Sequence, residues 1–195
     1  PLTLTPRPLQ KPHPPLHVAA ISPETVEIYA ARGLPILADP AAPFRKIAKA
    51  AETWHAVAAA HGVDTADAEL VASRNVAPTI EQARADQARF EAMFDRSRIF
   101  NAQSAPIDSR TGETAKGFEY YQNRYLKGGA VDSEFRWEQL EVIGDPERVI
   151  GQIQMIREMG YSHLMCDFGS TRPMPVEEMK KVLRFFAAEV MPAFR

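Results

Sequence analysis

Ser22, Glu24 and Thr25 stand at the point of the chain best suited to hold an anion. They follow the apolar run 16–21 (LHVAAI), which reads as a strand buried on both faces. Ser22-Pro23-Glu24 then opens a helix, with Ser22 as its N-cap and proline at the tolerated first position. A strand end that turns straight into a helix offers unpaired N–H groups and the positive end of the helix dipole; a hydroxyl on the cap and another one turn later add donors. The chemistry of such a turn is phosphate binding. The simpler alternative, from position alone, is that Ser22 only caps the helix and Thr25 only fills its first turn.

Arg74 is the second residue that asks for a partner. It lies on the apolar run 70–76, where an isolated buried charge is costly, so it must meet a carboxylate, a polar cavity or substrate. Asp39, Asn75, Asp167 and Phe168 fall at or near the ends of the other apolar runs. For each the alternative to a site is a cap, an ion pair or core filling, and Asp39 before Pro40 is ordinary turn chemistry. Arg74 and Phe168 are carried forward as candidate substrate contacts. His13 and His17 have no Cys, His or carboxylate close in sequence for a triad or a metal, and both read as structural. His55 and His61 read as surface or packing residues. Cys166, mid-run with no neighbouring base, reads as an inert core thiol.

Four short apolar runs, 16–21, 34–38, 70–76 and 163–168, must position these residues. Helices are expected at about 23–32, 44–61, 79–98, 145–159 and 175–190, each with apolar residues at helical spacing and several closed by glycine. Strands alternating with helices demand parallel pairing through right-handed crossovers, so the class is α/β. No GxGxxG or GxxxxGK[ST] follows any run, which leaves part of a (β/α)8 barrel of the TIM type as the expected architecture. Residues 101–142 interrupt the rhythm as an insertion: 101–116 is a polar loop suited to a lid, and Phe118, Tyr120, Tyr121 and Tyr125 suit a substrate channel or a helix's buried face. Residues 1–15 carry six prolines and read as an extended arm before a domain spanning 16–195. A chain opening on such an arm is expected to be cut from a longer one.

Composition narrows the function classes. The 195 residues are 45% hydrophobic and 25% charged, which excludes disorder, and a formal net charge of -2 gives no field to draw in nucleic acid or an anionic membrane. A single cysteine permits no internal disulfide, no cluster has metal-ligand spacing, and no apolar run approaches a membrane span. A cytoplasmic protein without bound metal is the expectation.

At 7–37 (RPLQKPHPPLHVAAISPETVEIYAARGLPIL), at 144–169 (GDPERVIGQIQMIREMGYSHLMCDFG) and in the FFAAEVMPAF ending, the chain resembles the C-terminal half of the bacterial luciferase-like flavin-dependent monooxygenases. The resemblance implies a TIM barrel of which this chain supplies about four parallel strands, 16–21 being the fifth and 163–168 the eighth. It implies reduced FMN as cofactor, O2 as co-substrate and a small organic substrate, with a deazaflavin-dependent oxidoreductase on the same barrel as an alternative. The family's flavin phosphate sits at the turn matching Ser22 and Thr25; Glu24 joins that turn, and Ala20 and Ile21 offer small contacts beside it. The strands that carry most of the ring pocket and the catalytic histidine in the family have no counterpart here, so catalytic residues are unassigned and turnover by these residues alone is not expected. The implied partners are the missing N-terminal half or a second chain, a flavin reductase and further copies in a homo-oligomer. A non-catalytic half-barrel that pairs with another chain is the rival reading from a different class.

Overall fold

The computed structural model describes residues 5–20, 22–40, 42–65, 69–77, 84–85, 108, 110–113, 137–168 and 175–195. Among the described residues the main elements are, in order, β1 (Val18–Ala20), α1 (Pro23–Ala30), β2 (Ile36–Ala38), α2 (Phe44–Ala60), β3 (Val71–Ala77), β4 (Val142–Ile143), α3 (Pro146–Glu158), β5 (His163–Asp167) and α4 (Val176–Glu189), then a 3-10 turn Met191–Phe194. All four expected apolar runs contain strands, three of them shorter than the run and the one at 70–76 shifted to 71–77. β4 was not legible in the sequence, because two residues carry no periodicity. The helix expected at 79–98, the loop 101–116 and the aromatic group 118–125 fall mainly outside the described residues.

Every strand pair is parallel. β1 pairs β2 with Ala20 opposite Ala38, β2 pairs β3 with Ala38 opposite Ala72, β3 pairs β5 from Val71–His163 to Asn75–Asp167, and β4 takes Val76 and Ala77. One direction for all strands collects their C-terminal ends on one rim of the sheet, which therefore carries Ser22, Asp39, Asp145 and Phe168. This is an open portion of a TIM-type barrel. Its opposite rim is pinned by polar side chains: His17 Nε2–H donates to the Glu69 carbonyl at 2.9 Å, and the Ser162 hydroxyl donates to that of Leu70 at 3.4 Å.

Successive strand side chains point to opposite faces, and among the described residues only one face is covered. Ala20, Ile36, Ala38, Ala72 and Val76 are buried beneath Val26 and Ala30 of α1 and Phe44, Ile47, Ala51, Trp54 and Ala58 of α2. Trp54 is fully buried and donates its indole N–H to the Leu34 carbonyl at 2.9 Å, so the largest core residue also holds the start of β2. On the other face Ala19 is exposed and Met165 is 50% exposed. Gly160 stops α3 as expected: its φ is +100°, and a Cβ there would stand 2.9 Å from His55 Nε2. Residues 5–17 form neither helix nor strand, in keeping with their prolines.

Candidate functional site

At the C-terminal rim, the Ser22 backbone is extended (φ -81°, ψ 147°) and its side-chain oxygen accepts the Thr25 N–H at 3.2 Å, a standard cap. The Thr25 hydroxyl lies 2.9 Å from the Ser22 hydroxyl. One of the two hydroxyl hydrogens serves that mutual bond, which leaves the other to donate outward. Both residues are half-buried, Pro23 occupies the first helical position without an N–H, and Glu24 lies in the first turn.

The same chain contains a second turn of this design. Gly144-Asp145-Pro146-Glu147 leads from β4 into α3, and the Asp145 carboxylate accepts the Arg148 N–H at 2.9 Å as Ser22 accepts that of Thr25. The caps match in backbone role and differ in charge. Both helices carry a glutamate in the first turn, Glu24 and Glu147, so the difference lies in the cap: a carboxylate cap repels a second anion, whereas the hydroxyl pair at Ser22 is uncharged and adds a donor. Of the two turns, only the one at Ser22 has the chemistry for a phosphate.

The other expected residues are distributed differently. Ala20 is buried on the helix-covered face of the sheet, so its Cβ packs into the core and only its backbone is available toward the rim. Ile21 lies outside the described residues. Arg74 is completely buried on that same face and donates to two carbonyls of the β2–α2 loop, Asp39 O at 2.9 Å and Ala42 O at 3.1 Å, with its guanidinium 5.2 Å from the Phe44 ring centre. Two of the polar partners that a cation on an apolar strand requires are thus loop carbonyls. Phe168 packs edge-on against Phe186 of α4, ring centres 5.0 Å apart, on the helix side of β5.

Several backbone-pinning residues were not singled out in the sequence. The Tyr161 hydroxyl donates to the Ile47 carbonyl at 2.9 Å; burial raises its phenol above the ordinary value, and the Arg74 guanidinium only partly opposes this. Gln152 is buried, accepts the Ile143 N–H at 3.0 Å and donates to the Glu141 carbonyl at 3.1 Å, holding β4 in place. Arg148 donates to the carbonyls of Ile143 and Trp137, both at 3.1 Å. The only sequence signal for these was a polar residue beside an apolar helical stripe or strand. Among the described residues no three His, Cys, Asp or Glu side chains are grouped to hold a metal, and no helix is long and apolar enough to cross a membrane.

Cys166 faces the helix layer, and burial pushes its thiol up to about 11 from 9.0. At pH 8 its thiolate fraction falls about a hundredfold below that of an unburied thiol, so alkylation of the folded chain is expected to run about a hundred times slower than in denaturant, rising tenfold per pH unit. A rate equal to that of the denatured chain, followed by mass, would show the thiol to be open.

Comparison with known proteins follows the same lines. The profile of the luciferase-like monooxygenase family matches residues 1–163. None of the curated proteins compared matches the chain. Among solved structures, monooxygenase RslO1 from Streptomyces bottropensis is 22% identical, with 100% of this chain covering 53% of that one at a TM-score of 0.65. An F420-dependent secondary alcohol dehydrogenase, solved with an F420-acetone adduct, is 17% identical over 93% of this chain and 49% of its own, TM-score 0.60. The oxygenating constituent of 3,6-diketocamphane monooxygenase from Pseudomonas putida, solved with FMN, is 15% identical over 90% and 47%, TM-score 0.58. The chain spans about half the length of these structures. The matched profile, together with the parallel strands and their helix layer, shows that the chain belongs to the luciferase-like monooxygenase family.

Proposed function

We propose that this chain supplies the phosphate end of a flavin site in an enzyme that oxidises a small organic substrate with O2 and reduced FMN. The observation that carries the reading is the Ser22–Thr25 hydroxyl pair, 2.9 Å apart at a helix start with an uncharged cap on the C-terminal rim, the rim on which barrel sites are built. Ser22 and Thr25 would hold the phosphate, Glu24 would flank it, and the backbone at Ala20 and Ile21 would border the cofactor. When bound, the reduced flavin supplies the electrons that activate O2; the part of this chain is to hold the cofactor's charged tail and orient the rest. A related structure solved with FMN supports this choice. Two others named for F420 dependence support a deazaflavin at the same turn as the second reading.

The architecture requires a complement. Among the described residues β1 pairs only β2 and β5 pairs only β3, and the face bearing Ala19 and Met165 has no covering layer. We assign that place to a second set of parallel strands, from the same polypeptide or another chain, which closes the barrel and faces the reacting end of the cofactor. A separate flavin reductase would deliver the reduced cofactor.

The test is a fluorescence titration of the chain with FMN and with riboflavin, which lacks the phosphate. FMN is expected to bind at least about tenfold more tightly, one charge-assisted hydrogen bond being worth about 1.5–3 kcal/mol. Ser22→Ala is expected to remove most of that preference. Equal affinity for the two in the parent chain would overturn the assignment.

A further inference from the structure

At the opposite end of the sheet from the Ser22 turn, a cleft of about 550 Å³ opens between α3, β5 and α4. Its body is apolar, walled by Ile153 and Ile156 of α3, Leu164 and Cys166 of β5, and Phe186 and Phe194 from α4 and the turn after it. Its mouth is not. Arg157, Ser162, His163 and Arg195 line it, and no acidic side chain does. The topology explains the grouping: both helices run antiparallel to β5, so the last turn of α3, the end of α4 and the first residues of β5 all meet at the foot of that strand.

Arg157 and Arg195 turn guanidinium groups to the mouth, while Glu158 and Glu189, which end the same two helices, do not line the cleft. The apolar body is also under-filled. α4 buries only Val182 along its length, and Phe186, its residue on the cleft wall, is half-buried. The cleft is open to solvent, and its volume lies in the range that accommodates small-molecule ligands.

We propose that this cleft binds an amphipathic monoanion, a medium-chain carboxylate whose head lies among Arg157, Arg195 and His163 and whose hydrocarbon tail runs along Leu164 toward Cys166. The site is separate from the flavin turn and does not depend on it.

The single cysteine of the chain lies on the cleft wall and reports occupancy directly. The chain is titrated calorimetrically with decanoate and with decanol, and maleimide labelling of Cys166 is timed at each concentration. Saturating decanoate is expected to slow labelling about fivefold or more by covering the thiol. Decanol, lacking the charge, is expected to bind about tenfold more weakly, and Arg157→Glu, an exposed change in the last turn of α3, to weaken decanoate by at least as much. Absence of decanoate binding, labelling unchanged at saturation, or equal protection by decanol would each overturn the proposal.

Discussion

Ser22→Asp is expected to leave the chain as stable as the parent while weakening FMN binding on the order of a hundredfold or more, with riboflavin affinity unchanged. Asp145 shows that an aspartate fits this kind of cap, taking the N–H three residues on at 2.9 Å. Aspartate caps as well as serine and favours the helix dipole by a few tenths to about 1 kcal/mol, so the fold loses nothing. The phosphate loses twice. One hydroxyl donor, worth about 1.5–3 kcal/mol toward a charged acceptor, disappears, and two negative charges about 4 Å apart at an effective dielectric near 20 repel by roughly 4 kcal/mol before rearrangement. FMN affinity is read by fluorescence quenching and stability by urea denaturation. An FMN affinity that does not change would remove the phosphate from this turn; a parallel fall for riboflavin would mean the substitution disturbed the rim as a whole.

Arg74→Met is the substitution expected to cost the fold most among those considered, about 3 kcal/mol or more. The sign is not obvious in advance, since exchanging a buried charge for a hydrophobe of similar length relieves a large desolvation penalty and is neutral or stabilising when the whole polar group leaves. Here it does not all leave. The acceptors at 2.9 and 3.1 Å are the backbone carbonyls of Asp39 and Ala42, which remain in place and lose these donors, at about 1–3 kcal/mol each. The stacking on Phe44 is lost as well. Arg74→Lys, with one compact charge in place of a fork, is expected to fall between the two. A urea midpoint for Arg74→Met equal to the parent's at unchanged m-value would show the loop to be self-supporting.

The contrast between these two residues shows what could be read directly. Ser22-Pro23-Glu24-Thr25 carries its structure locally: the cap, the proline and the next-turn hydroxyl lie within four residues, and their hydrogen bonds close over the same span. Arg74 carries only a requirement. Its burial within an apolar run demanded partners, and two of them, the carbonyls of Asp39 and Ala42, are more than thirty residues away. Phe168 is similar, since an aromatic at a strand end can face either side of the sheet, and only the packing of Phe186 decides which.

The order of four of the five strands and of the helices α1 to α4, the parallel sense of those strands, the family and the turn at Ser22 were present in the amino-acid sequence, because hydrophobic runs, caps and crossover handedness are set by residues close together along the chain. Tertiary structure alone decided which sheet face is covered, that Arg74 holds a loop, that a two-residue strand at Val142–Ile143 joins the sheet, and that two helix ends and a strand start gather arginines around an apolar cleft. These arise between segments brought together from distant parts of the chain, where burial and hydrogen-bond satisfaction choose among partners that local pattern leaves equivalent.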